Sequence, residues 1–362
     1  MHAARSWSRW FLAPAWIALA MRASALILFG TDDPQRNTTA PTGDLAGSGW
    51  QWQNDSGQCS TAIGPRHAVT ARHLGLSAGG EVRFGGLSYF ATAVADAPQS
   101  DLRLIELAGR LPAAASIHTG TNEAGRTLVL HGRGTLRGPA VFADAPGGPE
   151  LRGWRWGAAD GRLRWGTNTV WRAYTPKPED GFTGEVLLAK FSKDGGDDQA
   201  SFSGGDSGGG VFLKDDDDRW KLAGVIFAVE AEFRTTADGE SFFAALFDRT
   251  GFYQTVKPDE WGLDPEAAER PETVLYITRV SAHADWLATQ MANPPTVAWP
   301  RLFSSIQVNG VYAEHPAYAV DVTKKTITIL VPEGASRFFA LDGASVVGAP
   351  SLQDGRLIFI YE

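Results

Sequence analysis

The sequence predicts an all-β protein with one helix late in the chain. Short apolar or alternating runs recur along its 362 residues, and many of its 41 glycines separate them. Short strands at this spacing are typical of an antiparallel barrel or sandwich. One segment has helical periodicity instead: residues 281–291 begin with a serine cap and place Trp286, Leu287 and Met291 on one face.

The composition is that of a globular protein with enough apolar material for a core. Hydrophobic residues make up 43% and charged residues 20% of the chain, whose length suggests about two domains. The formal net charge of -8 argues against a nucleic-acid partner, because such proteins usually carry a basic face. The single cysteine, Cys59, excludes an intrachain disulfide and the common cysteine-rich zinc sites. We therefore expect no metal and no cofactor.

Residues 1–25 are typical of a secretory signal peptide. Two arginines precede an apolar run over residues 10–20, and small residues suited to cleavage follow. A membrane anchor is the alternative, but Pro14 and Arg22 leave the run too short to span a bilayer. We expect cleavage near Ala25, no stable membrane insertion afterwards, and a secreted or periplasmic protein.

The rest of the chain divides into a larger and a smaller β region. In the larger region, residues 26–293, strand patterns occur at residues 81–84, 102–107, 127–130, 185–189 and 222–227. Pro294 and Pro295 break the chain after the helix, and strand patterns return at residues 326–331 and 356–361. We interpret residues 296–362 as a separate small β-rich module on a stiff proline linker.

The first chemical feature is a serine inside a glycine-rich heptapeptide. Residues 204–210 read Gly-Gly-Asp-Ser-Gly-Gly-Gly, so the backbone can turn sharply at Ser207. Consecutive N–H groups in such a turn can point into one concavity and stabilise a developing oxyanion. The alternative interpretation of the heptapeptide alone is a flexible loop without chemistry.

Two further segments supply a base and an acid. His73 ends one strand-like run, and Asp101 precedes another. A serine hydroxyl needs a base to take its proton, and the base needs a carboxylate to fix its tautomer. The chain order His, Asp, Ser is one of the known orders for this geometry. Other residues that could fill the base and acid roles are His67, His118, His131 and Asp96.

Taken together, these segments resemble the chymotrypsin/trypsin-like serine protease family. Residues 205–209, Gly-Asp-Ser-Gly-Gly, match the family's nucleophile segment without change. Segments in family order carry the resemblance across about residues 45–292: 69–73, 101–107, 131–134, 205–209 and 276–287.

The resemblance implies two antiparallel six-stranded β-barrels with the active site between them and a C-terminal helix. It implies a serine endopeptidase that acts through an acyl-enzyme, with His73 as base, Asp101 as its orienting acid and Ser207 as nucleophile. The N–H groups of Gly205 and Ser207 would form the oxyanion hole. The expected partner is a protein or peptide substrate, and the protein is expected to be a monomer.

The same resemblance suggests which bond is cut. Ser201 would form the base of the specificity pocket, and Phe227, Val229 and Leu275 would line it. An uncharged base leaves a bound lysine or arginine unpaired, which is costly. Val229 and Leu275 stand where large-pocket members have glycine, so we expect cleavage after small or medium apolar residues.

The sequence departs from the family pattern at several places. Cys59 matches one half of a family disulfide, but Leu74 occupies the other half, so we expect a buried free thiol. Residues 230–273 are inserted before the terminal strand, either as a rim over the pocket or as a surface elaboration. In zymogen members the residue matching Asp206 pairs with a newly cut amino terminus. Residues 26–30 resemble that apolar terminus, and signal cleavage would supply the amine.

A non-catalytic secreted binding or adhesion protein on the same scaffold is the alternative function. The presence of all three triad residues favours the enzyme. Residues 154–171 interleave tryptophan with arginine, which is typical of packing on a sheet surface; a carbohydrate or peptide platform is the alternative.

Overall fold

The computed structural model describes residues 26–257, 260–264, 270–331 and 337–362, so the predicted signal peptide lies outside the described residues. Strands make up most of the regular structure in these ranges, and one α-helix, α1 (Ala284–Ala292), follows the larger β region. Within the same ranges, none of the helices has the length and apolarity needed to cross a membrane.

The strands fall into three groups along the chain. The first group is β1 (Ile27–Leu28), β2 (Thr61–Gly64), β3 (His67–Ala71), β4 (Glu81–Phe84), β5 (Leu87–Asp96), β6 (Leu102–Leu107) and β7 (Gly109–Arg110). The second is β8 (Thr127–Gly132), β9 (Thr135–Ala143), β10 (Glu150–Ala159), β11 (Arg164–Thr169), β12 (Arg172–Tyr174), β13 (Val186–Lys190), β14 (Ala200–Ser201), β15 (Gly210–Lys214), β16 (Trp220–Val229), β17 (Glu232–Arg234), β18 (Phe242–Leu246), β19 (Tyr253–Lys257), β20 (Glu260–Leu263) and β21 (Val274–Arg279). The third is β22 (Arg301–Ser305), β23 (Ala313–Glu314), β24 (Tyr318–Asp321), β25 (Thr326–Leu330), β26 (Phe338–Asp342), β27 (Ser351–Gln353) and β28 (Arg356–Ile360). Short 3₁₀ turns lie at Gly43–Leu45, Trp50–Trp52, Arg72–Leu74, Pro178–Asp180 and Ser281–His283.

Two curled antiparallel sheets form the core of the larger region. The first has the strand order β2-β3-β6-β5-β4, and the second has the order β11-β8-β15-β16-β21-β13-β12. Side chains from both sheets, including Val69 and Val225, share one apolar cluster with Leu287 of α1. The helix therefore covers the junction between the sheets, and the predicted class of two curled β-sheets followed by a helix is confirmed.

The two sheets hold five and seven strands, where the family resemblance implies six each. One cause is β7, which pairs with β24 of the C-terminal region instead of joining the first sheet. Gly109 in β7 has a φ of +115°, and a Cβ there would collide with the Tyr318 carbonyl oxygen. The chain can therefore leave the first sheet at this point only because residue 109 is glycine.

The insertion forms most of a separate sheet. Its strand order is β20-β19-β17-β18-β10-β9, so β18 of the insertion pairs with β10 of a long hairpin. Val141, Phe233, Phe242 and Phe252 form an apolar core of this sheet's own. The inserted strands are therefore a packed layer with a fixed position against the hairpin.

The C-terminal region has its own core and shares a sheet with the larger region. Its sheets have the orders β23-β22-β26 and β27-β28-β25-β24-β7. Leu302, Val320 and Phe359 pack in its core, together with Ala108 from the larger region. The Arg110 guanidinium lies 3.2 Å from the Glu314 carboxylate across the boundary. Independent folding of residues 296–362 stays a prediction.

Candidate active site

His73 and Asp101 meet where two paired strands end. β3 pairs with β6 so that Ala71 lies opposite Leu102, and His73 follows one strand while Asp101 precedes the other. The His73 Nδ1 lies 2.7 Å from Asp101 Oδ2, and the His73 backbone N–H donates to Oδ1 at 3.0 Å. The His73 side chain is 42% exposed and that of Asp101 is 13% exposed. The carboxylate thus holds the ring by Nδ1 and leaves Nε2 to accept a proton.

The alternative acid, Asp96, has different partners. Its carboxylate accepts hydrogen bonds from Arg103 at 2.6 and 2.9 Å and lies 3.4 Å from the Arg72 guanidinium. The hydrogen bonds from Arg103 lower the pKa of Asp96. The structure therefore brings Asp101 and not Asp96 to His73.

The other candidate histidines are packed in the interior. Burial lowers the pKa of His67 and of His131 to about 4 in each case. His131 Nε2 also lies 3.0 Å from the Ser48 carbonyl oxygen. His118 is fully buried, with Nδ1 3.4 Å from the Asp215 carboxylate. Of the four histidines proposed from the sequence, only His73 is exposed.

Ser207 is partly exposed in the loop between β14 and β15. The next residue, Gly208, packs closely against the His73 segment. A Cβ at Gly208 would lie 2.6 Å from Thr70 Oγ1 and 2.9 Å from Leu74 Cδ1. Thr70 precedes His73 in the chain and Leu74 follows it. The Phe227 ring also lies 6.3 Å from the His73 ring, between centroids. The loop therefore places Ser207 beside the His73 segment.

The Ser207–His73 hydrogen bond of the expected triad is not formed in this structure. Among the described residues, the hydrogen bonds of His73 are the two with Asp101. Such catalytic bonds are often long in unliganded enzymes and shorten when substrate binds.

The glycine-rich loop carries the two backbone N–H groups predicted to form the oxyanion hole. The Gly209 N–H donates to the Asp206 carbonyl at 3.0 Å, and the Asp206 N–H donates to the Ser203 carbonyl at 3.2 Å. Across the described part of the chain, the N–H groups of Gly205 and Ser207 have no internal acceptor. Their binding of a substrate oxyanion stays a prediction.

Cys59 is a buried free thiol, as predicted. Its Sγ lies 3.7 Å from the Gly205 carbonyl oxygen, behind the loop. Burial raises its pKa to about 12, so it stays a neutral thiol and not a second nucleophile.

Asp206 is fully buried and is held by several donors. Oδ1 accepts the Gly134 N–H at 2.6 Å, and Oδ2 accepts the Ser203 N–H at 2.8 Å and its hydroxyl at 3.0 Å. The backbone N–H of Leu26 also donates to this carboxylate. Burial raises the pKa of Asp206 to about 7, against the lowering effect of these hydrogen bonds. Leu26, the residue after the predicted cleavage point, therefore contacts the side chain of Asp206, which directly precedes Ser207 in the chain.

The segment that begins at Leu26 is part of the second sheet's core. Leu26 and Ile27 are buried, and Ile27 lies opposite Ser201 in the β1–β14 pair. The Phe29 N–H continues the contact by donating to the Gln199 carbonyl at 2.8 Å. These contacts fix the Leu26 amide beside Asp206.

The predicted pocket residues fall into two groups. Ser201 and Leu275 are fully buried, the first in the pair of β14 with β1 and the second in the core of the second sheet. Phe227 and Val229 are half-buried. Substrate contact by any of these four residues stays a prediction.

Sequence reasoning missed two neighbours of this pocket. The Phe182 ring packs 5.6 Å from the Phe227 ring, and no pattern around residue 182 indicates this. Glu230, next to Val229, accepts the Tyr276 hydroxyl at 2.9 Å and is paired with Arg249 of the insertion. Glu230 therefore already has a cationic partner, which it shares with Asp264.

Comparisons with known proteins find similarity among solved structures. No protein-family model matches the chain, and no curated protein matches it. Among solved structures, the chain is similar to Rv3671c from M. tuberculosis H37Rv, described as an inactive form of a serine-to-alanine mutant. The identity is 15% and the TM-score 0.39, over 72% of this chain and 98% of that chain. A likeness of this size carries no argument about activity.

Proposed function

We propose that the protein is a secreted serine endopeptidase that hydrolyses peptide bonds through an acyl-enzyme. The observation that carries this proposal is the His73–Asp101 pair, joined at 2.7 Å at an exposed edge beside the Ser207 loop. A partly buried acid that holds an exposed imidazole by Nδ1 is the arrangement that activates a serine hydroxyl.

The proposed reaction follows from these groups. His73 Nε2 takes the Ser207 proton as Oγ attacks the substrate carbonyl carbon, and Asp101 stabilises the imidazolium that forms. The N–H groups of Gly205 and Ser207 bind the carbonyl oxygen as it becomes negative. His73 then gives its proton to the leaving amine, and a water activated by His73 hydrolyses the ester on Ser207.

The proposed substrate has a small or medium apolar residue before the cut bond. The half-buried Phe227 and Val229 offer apolar surface, and Glu230 is engaged by Arg249. A lysine or arginine side chain would lose its hydration and would have to compete with Arg249 for the Glu230 carboxylate. We expect a broad preference among apolar residues, because each methylene changes binding by only about 1–3 kcal/mol.

Maturation is part of the proposal. Cleavage after Ala25 would turn the Leu26 amide into an ammonium group beside the buried Asp206 carboxylate. An ion pair there would stabilise the charged carboxylate and the loop that carries Ser207. Export and signal cleavage would then yield the active protein, secreted or periplasmic.

A peptide library tests the proposal. Purified protein should cleave peptides after residues such as Ala or Val, and Ser207→Ala should lower kcat by about 10⁶ because the triad acts as a unit. A non-catalytic binding protein would cleave none of them. Equal turnover by wild type and Ser207→Ala would assign the cleavage to a contaminant.

A further inference from the structure

We infer that the stacked aromatic pair Trp156–Phe243 is a wall of the substrate cleft and binds a large apolar side chain of the peptide, within about three residues of the cut bond. This inference rests on the proposed function and names a substrate contact that the insertion supplies. It also decides between the two interpretations of residues 230–273, in favour of a rim.

The pair joins the insertion to the hairpin beside the candidate site. Trp156 lies in β10 and Phe243 in β18, and the two strands are hydrogen-bonded neighbours. Their rings are 4.9 Å apart between centroids and inclined by 22°, so they stack. The inserted strands thus extend an aromatic surface that the hairpin begins.

The pair lies close to the proposed oxyanion hole. A Cβ added to Gly204 would lie 3.3 Å from the Trp156 ring, so this ring rests on the backbone directly before Gly205. Gly204 is three residues before Ser207, a distance of at most about 10 Å. An extended peptide advances about 3.3 Å per residue. A substrate side chain within about three residues of the cut bond can therefore reach the rings.

Phe243 is exposed where its neighbours are not. Its side chain is 48% exposed, whereas the adjacent Phe242 is 7% exposed and packs with Phe233 and Phe252 in the sheet's own core. That core fixes the strand, so the exposed ring is held in place before any ligand binds. An apolar side chain laid on it would remove apolar area from water and gain an aromatic contact.

The test compares Phe243→Ala with Phe142→Ala. Phe142 is an equally large residue, 55% exposed in β9 of the same sheet, and serves as the matched control. The substrates are peptides with one fixed cleavage residue and with Phe, Leu, Ala or Ser placed in turn at each of three positions on either side.

We expect wild type to prefer Phe or Leu over Ser at one of these positions. Phe243→Ala should lower kcat/KM for those peptides by roughly tenfold, mainly through KM, because a ground-state contact is removed. Phe142→Ala should retain the wild-type preference, and reaction of Ser207 with a fluorophosphonate should stay at the wild-type rate in both variants.

Two outcomes would overturn the inference alone. One is an unchanged preference in Phe243→Ala, and the other is an equal loss for every peptide, which would indicate a structural role only. Absence of both cleavage and fluorophosphonate reaction in the wild type would instead overturn the proposed function, and the inference with it.

Discussion

The buried carboxyl group of Asp206 allows a stability measurement that reports on the amino terminus. Burial raises its pKa from 3.8 to about 7 while the Leu26 nitrogen is an uncharged amide. The folded protein then holds the proton more tightly than the unfolded chain, so its stability falls as pH rises from 3.8 towards 7. At 1.36 kcal/mol per pKa unit the full loss is about 4 kcal/mol, and about 3 kcal/mol of it falls between pH 5 and pH 8.

Asp206→Asn isolates this loss. The side-chain amide of this variant cannot titrate. Its NH₂ group faces a backbone donor, which lowers the free energy of unfolding by about 1–3 kcal/mol at every pH. Urea unfolding of both proteins at pH 5 and pH 8, each with a short hydrophilic extension before Leu26, gives the pH-dependent difference. We expect wild type to lose about 3 kcal/mol more than Asp206→Asn over this range.

The same pair of proteins beginning at Leu26 should behave differently. An ammonium group beside the carboxylate favours its charged form and lowers the pKa of Asp206. The extra loss in wild type should then shrink to below about 1 kcal/mol. An equal loss with and without the extension would refute the ion pair, and no extra loss in the extended protein would refute a titrating buried carboxyl group.

Further predictions concern the acid, the pocket and the C-terminal region. Asp101→Asn should lower kcat by about 10⁴ while the fold survives, because an amide at the 2.7 Å contact favours the wrong His73 tautomer; a steady-state assay with circular dichroism as the folding control checks this, and a loss below tenfold would contradict it. Val229→Gly should extend cleavage towards Leu, Met or Phe by opening the half-buried wall, measured as the ratio of kcat/KM for Phe and Ala peptides; an unchanged ratio would exclude Val229 from the pocket. Deleting residues 296–362 removes the partner strand of β7 and uncovers Ala108, so we expect the melting temperature to fall by about 5 °C or more; an unchanged value would show that the shared sheet adds no stability.

The candidate pair His73 and Asp101 could be predicted because each stands at a strand end within a segment that resembles the protease family. His73 follows β3 and Asp101 precedes β6, and pairing of these strands brings the two ends together. The burial of Cys59 and the position of Leu26 beside Asp206 were likewise indicated by the family resemblance. These residues could be placed because they lie in segments that match the family pattern next to regular strands.

Other features depend on pairings between distant segments. The two residues of β7 carry no strand signal, and their pairing with β24 depends on the left-handed backbone at Gly109. Burial of Ser201 results from its pairing with Ile27, far away in the chain. The exposure of Phe243 follows from which face of the inserted sheet holds its core. Hydrophobic periodicity alone does not encode such choices.

The central claim is that Ser207 is an activated nucleophile. Intact-mass analysis after reaction with a fluorophosphonate tests it most directly, because the probe reacts with an activated serine and with little else. We expect one adduct in the wild type, located on Ser207 by peptide mapping, none in Ser207→Ala, and a greatly slowed reaction in His73→Ala. An unmodified wild-type protein, or an adduct that persists in Ser207→Ala, would contradict the account.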